Sequence, residues 1–214
     1  LNDLKKNWYP IASSLDVPKR HVYHAQLLGR EFAVWRADVG NVNVWENRCL
    51  HRGVRLSIGI NEGTELRCQY HGWRYANRTA GCTYIPAHPA DAPSRTICNN
   101  TYPVCEFLGM IWSGEEAIGD IPSFKNFDEF TILRPLPINA HFDLVKKMAI
   151  SKYSQLNYLV KEEANGAFIV TSGIAQNILF FVQPQDSKLS VLRGVVNQAL
   201  LGTERFDFLK KHNQ

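Results

Sequence analysis

Apolar side chains in the first half of the chain alternate with polar ones in short runs rich in β-branched and aromatic residues, the pattern of half-buried strands. It predicts strands at Trp8–Ala12, Glu31–Arg36, Asn43–Glu46, Glu65–Cys68 and Gly109–Trp112, parted by Gly, Pro, Asn and Asp. Several short strands at this spacing point to a small sandwich or barrel. Residues 81–102 carry Pro86, Pro89 and Pro93 among Ala, Asp, Ser and Asn, which is loop chemistry, and 119–137 repeat the proline-punctuated pattern as a linker. A domain boundary placed in that linker divides the chain into 1–125 and 126–214.

The second half opens on a strand-like run, Asn139–Val145, followed by weak helical periodicity over Lys146–Tyr158 through Met148, Ile150, Tyr153 and Leu156. Apolar strands follow at Ala167–Val170, Asn177–Gln183 and Leu189–Val195, and Gly202–Lys211 reads as an amphipathic helix, so the fold class is α+β. The most apolar stretch, Gly166–Val182, is broken by Thr171, Ser172, Gln176 and Asn177 and reads as two strands about a turn at Gly173 rather than a membrane span.

Composition narrows the classes. A chain of 214 residues with 45% hydrophobic and 21% charged side chains has enough apolar surface for a core, which excludes disorder, collagen and coiled coil. The net charge of +4 is too thin to argue for a nucleic-acid partner. Five cysteines, Cys49, Cys68, Cys82, Cys98 and Cys105, are an odd number in a chain too long to need staples, so reduced thiols and a cytoplasmic setting are expected. No apolar signal core lies in residues 1–20. The first residue is Leu1 rather than Met, which fits a processed chain or part of a longer product.

The chemistry lies in Cys49-Leu50-His51 and, after sixteen intervening residues, Cys68-Gln69-Tyr70-His71. Two thiolates and two imidazoles on two tight loops suit a tetrahedral zinc site or an iron–sulfur cluster with mixed ligands. C-x-H is a poor zinc clip, whereas a mixed cluster takes two cysteines on one iron and two histidines on the other, one of each from each loop. Gly53 and Gly72 stand where the backbone must come close. Within residues 48–78 six arginines, Arg48, Arg52, Arg55, Arg67, Arg74 and Arg78, face only Glu62 and Glu65, a docking face for an acidic donor, compensation of cluster charge, or a solvated surface. Cys82, Cys98 and Cys105 read as buried or half-buried small residues, His21, His24 and His88 as surface or hydrogen-bonded residues rather than ligands, and Trp73 and Tyr75 as packing against the loops.

Cys49-Leu50-His51-Arg52-Gly53 with Cys68-Gln69-Tyr70-His71-Gly72-Trp73 resembles the cluster motif of the oxygenase components of Rieske non-haem iron oxygenases. Asn7-Trp8-Tyr9-Pro10, Leu28-Gly29-Arg30, Leu56-Ser57-Ile58-Gly59 and Ile85-Pro86-Ala87 extend the resemblance over roughly residues 7–124; Gln69 departs from the family's usual proline at a position that is not a ligand. The resemblance implies a Rieske β-sandwich or barrel over 1–125 and part of a helix-grip-like α+β catalytic domain over 126–214. It implies a [2Fe-2S] cluster held by Cys49, His51, Cys68 and His71, fed by an NAD(P)H-dependent reductase or a ferredoxin. It further implies a small aromatic, heteroaromatic or alkylated substrate that is hydroxylated or oxidatively demethylated with dioxygen, and a homotrimer in which one subunit's cluster serves its neighbour's iron. Val54, Tyr70 and Trp73 stand where respiratory relatives carry two cysteines and a serine, which places the potential at the low end of the Rieske range.

Oxygenation needs a second, mononuclear Fe(II) held by two histidines and a carboxylate. After Phe130 the chain has only His141 and His212, with Asp143, Asp186 and Asp207, at spacings that do not fit. Either an internal segment is absent, with a break expected within 143–149 and others between Tyr158 and Gly166 or Val196 and Gly202, or the protein is a Rieske ferredoxin-like electron carrier. A zinc-stapled binding module is the third reading.

Overall fold

The computed structural model describes residues 2–116, 120, 123–125, 127–163, 166–172, 176–197 and 210. They fall into two compact units, Ile11–Ala117, and Leu1–Pro10 together with Ile118–Gln214. In chain order the first ten strands are β1 (Tyr9–Ser13), β2 (Val22–Leu27), β3 (Arg30–Arg36), β4 (Val42–Glu46), β5 (Ile60–Asn61), β6 (Glu65–Arg67), β7 (Arg74–Ala76), β8 (Cys82–Tyr84), β9 (Val104–Phe107) and β10 (Met110–Ser113). They make three small sheets, ordered β2-β3-β4, β5-β6-β7-β8 and β1-β10-β9. The expected small all-β architecture is therefore present.

Two-residue turns set the hairpins. Leu28-Gly29 joins β2 to β3 and Leu108-Gly109 joins β9 to β10, with positive φ at all four residues, the backbone whose twist matches that of the flanking strands. The period-two faces of β3 and β4 then meet: Ala33 opposes Trp45 and Trp35 opposes Asn43. Trp35 and Trp45 pack edge to face, 5.1 Å between centroids at 84°. Leu56, Leu66 and Tyr75 complete a buried core that also takes in Cys49 and Cys68, so both cysteines are anchored in that core.

The other unit opens with the short helix α1 (Asn2–Lys5). Its remaining elements are β11 (Thr131–Ile132), β12 (Leu136–Ile138), helix α2 (Phe142–Gln155), β13 (Leu159–Glu162), β14 (Ala167–Ser172), β15 (Gln176–Pro184) and β16 (Ser190–Val196). The antiparallel sheet runs β11-β16-β15-β14-β13, with β12 also on β16. The helix lays Phe142 and Val145 onto Phe168, Phe180 and Val182, a helix-on-sheet layer that buries one face of each.

Several sequence expectations are corrected here. The residues taken as a linker include β11 and the start of β12, and residues 81–102 include β8, because sheet partners capture short segments that proline and glycine make look like loop. The strand expected over Asn139–Val145 is instead the N-terminus of α2. His141 is its N-cap, its Nδ1 accepting the Asp143 N–H at 3.3 Å, and Val145 N–H donates to the His141 carbonyl. Residues 143–149 lie within one helix, and the cap sought at Lys146 lies five residues earlier. The expected tail helix at Gly202–Lys211 and the turn at Gly173 fall outside the described residues, Lys210 excepted, and the intervals 158–166 and 196–202 are described only in part. Among the described residues no helix is long and apolar enough to cross a membrane.

Candidate metal centre

The two loops singled out by sequence are built alike. The first follows β4, and the second is the loop of the β6–β7 hairpin. In each, the cysteine N–H donates to the carbonyl five residues on, Cys49 to Val54 at 2.8 Å and Cys68 to Trp73 at 2.8 Å. The glycine four residues on donates back to the cysteine carbonyl, Gly53 at 2.8 Å and Gly72 at 3.1 Å. Closing so tight a loop needs the left-handed backbone at that glycine, and φ is +68° at Gly53 and +71° at Gly72. A Cβ on Gly72 would also stand 3.1 Å from Pro86 Cγ.

The four donors sort into two pairs. Both cysteines are buried, at 3% and 2% exposure, while both histidines are exposed. His51 Nδ1 and His71 Nδ1 face one another at 3.1 Å. Two nitrogens on one metal ion at about 2.1 Å, with an angle near 90–110°, stand about 3.0–3.4 Å apart, so the imidazoles suit a shared ion. Zinc would need all four donors about one point, and among the described residues no three His, Cys, Asp or Glu side chains converge that way. A buried sulfur pair and an exposed nitrogen pair fit a two-iron cluster.

The surroundings hold these groups in place. Burial raises the Cys68 thiol pKa, the Tyr70 N–H acts against it, and the neighbouring Cys49 thiol adds to the rise. The His71 N–H also points at this sulfur, the close backbone approach that the glycine loop permits. Tyr75 Oη lies 3.1 Å from Cys49 Sγ and accepts the Leu50 N–H at 3.2 Å. Burial, then Cys49, raises the tyrosine's pKa, keeping its proton available to the sulfur. Sequence reasoning had read Tyr75 as packing only; a hydroxyl on the first buried ring after the second loop was the available signal. Trp73 stacks on His51 at 4.9 Å and 9°. Desolvation, then the charges of His71 and Arg52, hold His51 below the ordinary imidazole value.

Other expectations resolve as follows. Cys82 and Cys105 are half-buried as expected, but Cys98 is exposed, because the strand-edge bridge at Gly81–Cys98 leaves it on the surface. His88 is exposed as expected, and with Ile85 and Pro86 it lines a cavity of about 630 Å³ that also exposes His51, His71 and Trp73. Four of the six arginines are spoken for, Arg48 and Arg55 by Glu31, Arg67 by Glu62, and Arg74 by Glu62 and Glu65. Arg52 and Arg78 remain exposed.

Residues 7–125 match the family model described as the Rieske [2Fe-2S] domain. Oxidoreductase NdmD of Pseudomonas putida is 49% identical over 144 residues, 66% of this chain and 24% of that protein. The iron-sulfur subunit TsaM1 of the toluene-4-sulfonate monooxygenase system of Comamonas testosteroni is 36% identical over 116 residues, 53% of this chain and 33% of that one. The chain thus spans a quarter to a third of these relatives. The solved structure of NdmA from Pseudomonas putida CBB5 superposes with a TM-score of 0.80 at 16% identity, covering 98% of this chain and 78% of that one, a likeness of fold.

Proposed function

Because the chain belongs to the Rieske [2Fe-2S] family, we propose that it is the electron-accepting module of a Rieske-type oxygenation system, with Cys49 and Cys68 holding one iron and His51 and His71 the other. The observation that carries this is the facing of the two Nδ1 atoms at 3.1 Å at the exposed end of two loops whose cysteines are buried. When bound, the cluster supplies a one-electron store. The protein's own part is to keep the sulfurs dry and to present the imidazoles at the surface, where an NAD(P)H-dependent reductase or a ferredoxin can approach. On this reading 1–125 is the cluster domain, 126–214 belongs to the catalytic-type domain, and the setting is cytoplasmic.

The first reading is a module that passes electrons on without an oxygenation site of its own, and the two cluster loops suffice for it. A second reading, an oxygenase component with a mononuclear iron, is supported by the fold likeness over nearly the whole chain. It is also supported by an apolar cavity of about 290 Å³ between α2 and its sheet, lined by Ile138, Val145, Met148, Tyr153 and Leu192. Such a cavity suits a small aromatic, heteroaromatic or alkylated molecule for hydroxylation or demethylation. Iron and sulfide analysis with EPR of the reduced protein separates them. Two irons per chain with a Rieske signal is the expected result; more than two, with a homotrimer in sedimentation, supports the oxygenase, and no signal ends both readings.

Tyr75 gives a further expected result. Its hydroxyl reaches Cys49 Sγ, and a hydrogen bond to sulfur stabilises the more negative, reduced state. Tyr75→Phe keeps the ring packing and loses only that bond, net about 0.5–1.5 kcal/mol, so the potential falls by about 20–60 mV for one electron. Spectroelectrochemical titration checks the sign; an unchanged or raised potential refutes the assignment.

A further inference from the structure

The two ligand loops share a frame that the offset of their histidines conceals. Arg48-Cys49 opens the first and Val54-Arg55 closes it; Arg67-Cys68 opens the second and Trp73-Arg74 closes it. Since each cysteine N–H donates to the carbonyl just before the closing arginine, the two arginines of a loop leave its root close together. Like charges there repel, and in each pair one carboxylate meets both arginines, Arg74 having Glu65 at 3.9 Å as well.

At the first loop that carboxylate is Glu31 on β3. Its Oε2 lies 2.8 Å from Arg48 Nη2 and accepts from Arg55 Nε at 3.1 Å, while Oε1 accepts from Arg55 Nη2 at 2.6 Å. His24 Nε2 stands 3.7 Å from Oε1. Arg48 also donates to the Gly53 carbonyl at 3.4 Å, tying the clamp to the loop's closing glycine. At the second loop, Glu62 stands 2.8 Å from Arg67 Nε and 3.5 Å from Arg74 Nε. Both Nε atoms are buried without a hydrogen-bond partner, so this second clamp works through charge.

We infer that Glu31 and Glu62 are positioning residues for the cluster, each clamping the two arginines at the root of one ligand loop and cancelling charge beside the metal pair. The inference rests on the reading of both loops as cluster ligands. An isolated surface ion pair contributes little, but here one carboxylate joins both ends of a loop. Its removal leaves the two guanidiniums without the carboxylate they share. Local charge then rises by one, which favours the electron-rich reduced cluster, and the loop is freed to open.

The test uses the cluster-loaded parent, Glu31→Gln, Glu62→Gln and the charge-balanced double variant Glu31→Gln/Arg55→Gln. At fixed redox poise the reduced-to-oxidised ratio should rise about three- to tenfold in each single variant, tenfold being 59 mV for one electron. In the double variant the ratio should return towards the parent, while iron loss to a chelator stays faster than in the parent because the brace is still missing. Glu62→Gln keeps the test open should Glu31→Gln not fold. Single variants with the parental ratio and the parental rate of iron loss overturn the clamp while leaving the ligand reading intact. A parent without the Rieske EPR signal overturns the ligand reading itself, and the clamp with it.

Discussion

Cys49→Ala is expected to abolish the cluster while leaving the second unit folded. Cys49 Sγ is buried in the core with Trp35, Trp45, Leu66 and Tyr75, where no water or neighbouring carboxylate can replace it. Its loss leaves one iron with a single protein thiolate. Thiolate binding to iron also holds the loops together, since ligands on separate segments gather only in the folded state and binding energy is then folding energy. The protein should purify without visible absorption, without a Rieske signal on reduction and with essentially no bound iron. The truncated side chain adds only a small packing cost, about 1 kcal/mol for a methyl-sized void, so far-UV circular dichroism should keep its β signature. Full iron content with parental absorption would exclude Cys49 as a ligand.

His71→Cys is expected to keep a cluster in part of the molecules and to lower its potential by about 200–500 mV, the gap between Rieske centres and all-cysteine plant-type clusters. The sign follows from charge: thiolate replaces neutral imidazole, so the cluster becomes more negative and harder to reduce. The loop geometry favours survival of a ligand there. His71 stands three residues after Cys68 in a loop closed by the Gly72 and Trp73 hydrogen bonds, and neither bond involves its side chain. Protein-film voltammetry would read the shift. A shift below about 60 mV, less than tenfold in a one-electron equilibrium, would remove His71 from the ligand set.

How much of this was legible in the sequence follows from how locally each feature is specified. The ligand loops were, because both donors of a loop lie within four residues and a glycine must follow where φ turns positive. The β-strands of the first unit and the apolar strands of the second were, because period-two burial is written along the chain. The ends of α2 were not: Asn139–Val145 has strand composition, but docking of Phe142 and Val145 onto Phe168 and Phe180 outweighs it, and His141 rather than Ser, Asp or Asn supplies the cap.

Contacts distant in sequence were hidden too. Tyr75 meets Cys49 across 26 positions and Glu31 meets Arg55 across 24. Counting charges within residues 48–78 made the arginines look unopposed, since Glu31 lies outside that window and only the pairing of β3 with β4 carries it to the loop. Short-range spacing by itself determined which side chains are the candidate metal ligands. Which hydroxyl meets the sulfur and which carboxylates close the loops was decided by strand pairing, because antiparallel register brings together residues whose separation leaves no mark on the chain.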